Sequence, residues 1–268
     1  MRIIRFIDEA GQPRFGKDFA NGEATLLEGD SITELVETDQ TCNVKKLLAP
    51  LVPSAIIGIG LNYHQHAKEN GLEIPRYPVI FMKNPASLAN PGDPIYLHPS
   101  CMQPPEVDYE AELAVVIGQA AKDVSTAEAL GCVLGYTAAN DVSARRWQGR
   151  KGAGQWVRGK SFDSFCPLGP ELVTADELPD PQNLRLTCEL NGQVMQDANS
   201  GDMIFPVAEL ISFLSTGTTL LPGTVILTGT PGGVGFTRKP PVYLMPGDTV
   251  KVILEGIGTL SNCVERQE

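Results

Sequence analysis

The stretch Glu106–Gly118, E-V-D-Y-E-A-E-L-A-V-V-I-G, constrains this chain more than any other. Glu106, Asp108, Glu110 and Glu112 share one parity; Val107, Tyr109, Ala111 and Leu113 share the other. A β-strand with that period of two carries four carboxylates on one face and the apolar set on the other. From Leu113 to Ile117 both faces are apolar, so the strand enters a core directly after its acidic row. Like charges in a row repel one another, and a cation is the simplest way to neutralise them there. Oxygen-only ligands suit a hard divalent ion, Mg2+ before Mn2+ or Ca2+. The competing reading is a solvated acidic face in an acidic protein.

The rest of the chain bounds the context. Its 268 residues suffice for one large domain, or for one domain with a small appendage. With 27 glycines and 21 prolines, turns are frequent and elements short, which favours a β-rich fold. A net charge of −11 lacks the basic footprint that nucleic acid or an anionic membrane requires. No apolar run approaches the ~18 residues of a membrane-spanning helix. The opening Met1-Arg-Ile-Ile-Arg-Phe-Ile-Asp-Glu turns acidic too soon for a targeting peptide. Six scattered cysteines without a C-x-x-C pair read as reduced thiols, several of them buried. The expected location is cytoplasmic.

Along the chain, short alternating runs suggest a small β-rich N-terminal unit over 1–53, followed by a larger domain over 54–268. Asn21-Gly22 and Asn191-Gly192 each stand between β-like runs and predict tight hairpins. Residues 56–61 read as a buried strand. A two-turn helix over 63–70 follows, with Asn62 as N-cap, Gln65 completing a capping box and Gly71 at C′. Further helices are expected over 125–132 and 206–214. A strand over 132–139 leads to Asn140-Asp141, and two strands over 249–254 and 258–264 close the chain. Residues 142–163 carry six basic residues, with no acid between Asp141 and Asp163, a block that is either a solvated loop or a cradle for an anion. Within it Gly154–Ser161 satisfies the phosphate-loop pattern G-x-x-x-x-G-K-S. Its context refuses the match: no apolar strand precedes it, Trp156 and Val157 are bulky, and Pro167 and Pro170 deny a long helix.

Glu110 and Glu112 lie two apart on one strand face, and Asp141 ends another buried strand, where it can converge on them. Three carboxylates leave about half of an octahedral shell open, as a catalytic cation site needs. His66 and Glu69 are neighbours on one helical face, so that the carboxylate orients the imidazole and raises its basicity as a general base. The alternatives are a surface pair without duty and, among the other histidines, His64.

The ordered motifs Ile57-Gly-Ile-Gly-Leu-Asn-Tyr63, His66-Ala-Lys-Glu69, Val107-Asp-Tyr-Glu-Ala-Glu-Leu113, Asn140-Asp-Val-Ser-Ala-Arg145 with Gln148, Gly159-Lys-Ser-Phe-Asp163 and Leu227–Gly235 together resemble the fumarylacetoacetate hydrolase family. The resemblance covers about residues 56–264, with Gly256–Leu260 and Asn262 fitting at the end. It implies a mixed β-roll, α+β and β-rich, and a homodimer. It also implies Mg2+ or Mn2+ on Glu110, Glu112 and Asp141, with His66–Glu69 as acid–base pair on a lid. Lys160, Arg145, Gln148 and Thr230 match positions that contact a small anionic oxo-acid substrate. Two departures, Arg146 where the family commonly has Asp and Gly233 in the glycine-rich loop, are expected near the substrate.

The expected activity is metal-dependent chemistry on a 1,3-dicarbonyl or 2-oxo acid through a metal-stabilised enolate. Hydrolytic C–C cleavage of an acylpyruvate comes first in that reading, with Lys160 meeting the developing charge and His66 activating water. Oxaloacetate decarboxylation and keto–enol tautomerisation or isomerisation are the alternatives. A ligand-binding pseudo-enzyme is the reading from another class; it would be expected to have lost the acids or the dyad.

Overall fold

The computed structural model describes residues 1–267. Its frame is a twelve-stranded mixed sheet, accompanied by a five-stranded sheet and a two-stranded ribbon. The strand Ala111–Ile117, buried along its whole length, stands inside the large sheet. It runs antiparallel to Val133–Asn140 on one side and to Thr224–Leu227 on the other. Beyond Thr224–Leu227 come Ala55–Gly60, parallel to it, and the edge strand Val79–Lys83. In the other direction Cys166–Thr174 follows Val133–Asn140. Arg2–Ile7 then pairs with Cys166–Thr174 through Arg2↔Val173 and Ile3↔Leu172, so the N-terminal strands extend the same sheet. The five-stranded sheet holds Arg185–Leu190, Gln193–Asn199, Thr249–Leu254, Gly258–Arg266 and Ile95–Leu97. Side chains of both sheets meet in one large apolar core, from Leu113 and Val115 to Leu186 and Val252. The β-rich α+β architecture is the one expected.

Both Asn-Gly hairpins form. Asn21 and Gly22 have φ of 53° and 84°, and Asn191 and Gly192 of 53° and 80°. Two positive φ values in sequence are what a tight hairpin turn between twisted strands requires. The last helix runs Val207–Ser215, and the closing strands Thr249–Leu254 and Gly258–Arg266 stand where the pattern put them. The helix expected over 125–132 is one α-turn, Thr126–Ala129, continued as a 3-10 turn, Leu130–Cys132. All six cysteines are free thiols, with Cys101, Cys166 and Cys188 buried. Among the described residues no helix is long and apolar enough to cross a membrane.

Two local expectations fail for one reason, side chains taking the place of backbone partners. The acidic row is not one strand. Val107–Asp108 pairs with Ser143–Ala144 in the two-stranded ribbon, and the main strand starts only at Ala111. Between them the Tyr109 N–H donates to Asp108 Oδ1 at 2.9 Å and the Glu110 N–H to Asn140 Oδ1 at 3.0 Å, which interrupts the ladder. Likewise Asn62 does not cap the short helix, which runs His64–Glu69 behind Tyr63. The Asn62 amide is buried and occupied, donating to Thr228 O at 2.7 Å and Phe205 O at 3.1 Å and accepting from the Phe205 N–H. The Gln65 N–H donates instead to Asp202 Oδ2, 3.0 Å away. Gly71 does terminate the helix, at φ 63°.

Candidate active site

The end of the central strand and the ends of its neighbours deliver the charged groups to one place. Glu110 precedes the strand, Glu112 lies within it, and Asp141 follows Val133–Asn140. Ligand oxygens of these three buried carboxylates lie within 4.8 Å of one another. Lys160, last residue of the short helix Trp156–Lys160, brings Nζ to 2.8 Å from Glu110 Oε2 and 2.8 Å from Ser143 Oγ, and also donates to Asp141 Oδ2. Lys83, at the end of the edge strand, brings Nζ to 2.5 Å from Asp141 Oδ1 and 3.3 Å from Val142 O. Arg145 donates through Nε to Asp108 Oδ2 at 2.9 Å, and through Nη1 to Glu110 Oε1 at 2.5 Å and Gln148 Oε1 at 2.9 Å. Lys160 therefore belongs to a buried ionic network, which agrees with the refusal of the phosphate-loop match.

Charge pairing divides the carboxylates. Burial pushes Glu110 up, but Lys160 and Arg145 together overcome it and hold its carboxyl well below the usual range. Glu112 goes the other way: burial first, then the charges of Asp141 and Glu110, push it well above that range. Among the described residues no lysine or arginine pairs with Glu112, whose hydrogen bond comes from the Gly229 N–H at 2.7 Å. A buried carboxylate flanked by two others and lacking its own cation is costly. The all-oxygen donor set fits a hard divalent ion there.

The glycine-rich loop Gly229–Gly235 is fastened by carboxylates along its length. Glu112 takes the Gly229 N–H, Glu69 the Gly233 N–H at 3.0 Å, and Asp108 the N–H groups of Gly235 and Phe236 at 2.8 and 3.0 Å. A side chain at Gly235 has no room: its Cβ would lie 1.8 Å from Val242 O. Thr230 Oγ1 donates to Ala111 O at 2.9 Å and accepts from Gln196 Nε2 at 2.8 Å. Glu69 also accepts from Thr237 Oγ1 at 2.9 Å, and its Oε2 stands 3.7 Å from His66 Nδ1.

A cavity of about 1000 Å³ opens over this ground, and His66, Glu110, Arg145, Gln148, Lys160 and Thr230 all line it. Glu110 is the member of the acidic cluster that reaches the wall, while Glu69 stays behind His66 and binds the loop. His64 is exposed and takes no part. His66 is pushed below the ordinary histidine range by burial, against the smaller upward pulls of Glu110 and Glu69. The sequence expectation that Glu69 makes this imidazole more basic is thus outweighed by desolvation. Arg146 does not face the cavity. Its guanidinium lies 3.1 Å from Glu106 and donates to the carbonyls of Gln103 and Ser100, tying down the loop before the ribbon. Gly233 acts through its N–H on Glu69 and also lies outside the wall.

Three contributors escaped sequence reasoning. Asp108 was visible as an acid, but its partners Arg145 and the loop amides lie far along the chain. Lys83 and Gln196 carried no local signal at all.

A buried carboxylate cluster that could hold a cation, beside a histidine and a lysine in an open cavity, is the equipment of an enzyme. Residues 55–265 match the model of the Fumarylacetoacetate (FAA) hydrolase C-terminal family, and the chain belongs to that family. It is 47% identical over 218 residues to the mitochondrial oxaloacetate tautomerase FAHD2A of Homo sapiens, covering 81% of this chain and 68% of that protein. The mitochondrial oxaloacetate tautomerase fahd2 of Xenopus laevis is 49% identical over 219 residues, with the same coverage. Among solved structures, a 5-carboxymethyl-2-hydroxymuconate delta-isomerase from Mycobacterium smegmatis superposes with a TM-score of 0.86 at 39% identity, covering 100% of both chains. A fumarylacetoacetate hydrolase from Exiguobacterium antarcticum does so with 0.85 at 36%, again covering 100% of both.

Proposed function

We propose that this chain is a Mg2+- or Mn2+-dependent enzyme that moves a proton between carbon and oxygen of a 2-oxo acid, a keto–enol tautomerase with oxaloacetate as its first substrate to test. The observation that carries the reading is His66, buried and lining the same cavity as Lys160 and Glu110, where desolvation favours its neutral form. A neutral imidazole there can take the proton from the carbon beside the oxo group. Glu110, Glu112 and Asp141 would hold the ion, which supplies positive charge to an enolate oxygen when bound. Lys160 adds its own charge at the same end of the cavity, and Gln148, whose carbonyl is taken by Arg145, would offer its amide Nε2 to the substrate carboxylate. The printed activities of the two tautomerase relatives and of the isomerase support proton transfer ahead of hydrolytic C–C cleavage, which would need an attacking water as well.

The test is the ketonisation of enol-oxaloacetate, followed by ultraviolet absorbance with Mg2+ and coupled to a keto-specific dehydrogenase. Acceleration dependent on His66 supports the reading. Cleavage of acylpyruvates without any such acceleration would return the function to hydrolysis, and pyruvate release from oxaloacetate would return it to decarboxylation. Homodimeric assembly belongs to the same proposal and is read by sedimentation. Location is read by fractionation, since the tautomerase relatives are named as mitochondrial while the sequence expectation is cytoplasmic.

A further inference from the structure

A second cavity, about 1040 Å³, lies where the strands Arg2–Ile7, Pro13–Ala20 and Glu23–Glu28 meet residues 51–54 and Pro222-Gly223. None of the groups of the candidate active site reaches it. The apolar wall of the catalytic cavity is packed close: a Cβ at Gly58 would fall 2.1 Å from the Phe81 ring, and one at Gly60 2.6 Å from the Trp156 ring. The second cavity is built on aliphatic groups instead. Its floor of Leu27, Ile32 and Leu51 is buried and continues into the apolar cluster that holds Ala114 and Val116 of the central strand.

Arg5 is out of place in that wall. It shares a strand face with Ile3, which is buried in the same cluster, and its cross-strand neighbours are Phe15 and Leu48. Burial pushes its guanidinium below the ordinary arginine range, and no carboxylate offsets this. Among the described residues its side chain makes no hydrogen bond and no ion pair. The other arginine of the wall, Arg14, is taken by Asp8 Oδ2 at 3.1 Å, and Asp8 Oδ1 by the Gln12 N–H at 2.8 Å. Three further acids, Glu28, Asp30 and Glu34, are exposed and pair with no cation among the described residues; they form the rim. The loop that presents Asp30 and Glu34 is held together. Ser31 Oγ and Thr33 Oγ1 lie 2.9 Å apart, the Glu34 N–H donates to Ser31 O at 3.1 Å, and a Cβ at Gly29 would fall 2.5 Å from Glu34 O.

We propose that this cavity is a second binding site, for a small zwitterion with an apolar body, an apolar amino acid or a short apolar peptide. The carboxylate meets Arg5, the apolar side chains lie on Leu27, Ile32 and Leu51, and the ammonium meets the acids of the rim. A ligand carrying only negative charge would be repelled at the rim, and one carrying only positive charge would leave Arg5 unpaired. The volume reaches the upper end of the range for drug-sized ligands, which suits a peptide of two or three residues ahead of a single amino acid. The site stands without the proposed reaction, since the two cavities share no residue.

The experiment is calorimetric titration of the Mg2+-loaded full chain with leucyl-leucine, its C-terminal amide, its N-acetyl form and free leucine. Leucyl-leucine is expected to bind about tenfold more tightly than the amide or the N-acetyl form, the size of one charge-assisted hydrogen bond. In Arg5→Met the preference over the amide should collapse to near unity while that over the N-acetyl form stands. Arg5→Lys should keep part of it. In a variant with both Asp30→Asn and Glu34→Gln the two preferences should exchange roles, with circular dichroism reporting that each variant is folded. Free leucine that binds as tightly as the dipeptide, with the same responses, supports the zwitterion and assigns the site to the amino acid. No saturable binding by any of the four probes, or a preference over the amide that survives in Arg5→Met, overturns the site. Displacement of the dipeptide by oxaloacetate would put it in the catalytic cavity and overturn the site equally.

Discussion

Two cavities of nearly equal size stand on opposite sides of the large sheet's centre in the strand order, and they differ in what their charges cost. The first, about 1040 Å³, is bounded by N-terminal strands and Pro222-Gly223, with Arg5, Asp8, Arg14, Glu28, Asp30 and Glu34 in its wall. Glu28, Asp30 and Glu34 are exposed to water, as is Arg14, which pairs at 3.1 Å with Asp8, the one buried acid of that wall. The second, about 1000 Å³, is backed by Glu110, Glu112, Asp141, Lys83 and Lys160, all buried. Removing such charges from water costs several kcal/mol per ion, and a fold retains them where chemistry uses them. Volume does not separate the two cavities; desolvated charge does.

That contrast can be broken in several places. The largest effect is expected from the cation itself: chelation should abolish turnover, and Mg2+ or Mn2+ should restore it. Asp141→Asn should cost more cation affinity than the ~10–100-fold typical of losing an outer partner, with the circular-dichroism spectrum retained. Full activity of that variant in metal-free buffer would remove the acidic cluster from the site. Next comes Lys83→Met, which strips the Asp141 Oδ1 of its buried partner. Breaking one side of a buried ion pair costs ~3–5 kcal/mol, readable as a lower denaturant midpoint that added divalent cation partly recovers. An unchanged midpoint would mean that Lys83 only fills space.

Lys160→Ala should lower kcat/KM by ~10²–10³, the cost of one charged donor in a dry site. A loss no greater than that of Lys151→Ala would reduce Lys160 to one more member of the basic block. The pH profile is a finer probe. The base must be neutral, so kcat/KM falls as pH drops through the His66 pKa. Burial depresses that pKa, and the acid limb should therefore lie below the ordinary value of ~6.5. A limb at or above that value would assign the base elsewhere. The smallest effect belongs to the other cavity: Arg14→Ala should leave kcat/KM within about twofold, as expected for a distant, independent site.

The sequence made parts of this arrangement readable because the causes were local. Leu113–Ile117 is apolar on both faces and became a strand buried throughout. Asn-Gly reads as a hairpin because few other pairs accept two positive φ values. Glu110, Glu112, Asp141, Arg145 and Lys160 stood in recognisable motifs, and the structure brings them together. What stayed hidden was decided by partners distant in the chain. The break after Asp108 depends on the Asn140 side chain, 30 residues from Glu110. Asn62 resembles a cap until its partners Phe205 and Thr228 are known, and Lys83 resembles any lysine at a strand end until Asp141 is found beside it.

Gly58 and Gly60 set the size of the two rings in the catalytic cavity's wall from within the strand that carries them. A methyl group at position 60 would collide with Trp156, and one at position 58 with Phe81, from within the strand beneath them. The rings can change only if the strand allows it, and the strand can acquire side chains only if the rings shrink. During divergence, positions 60 and 156 should therefore drift as a couple. A lineage that reshapes this wall can begin at either glycine, from within the strand and not from the rings.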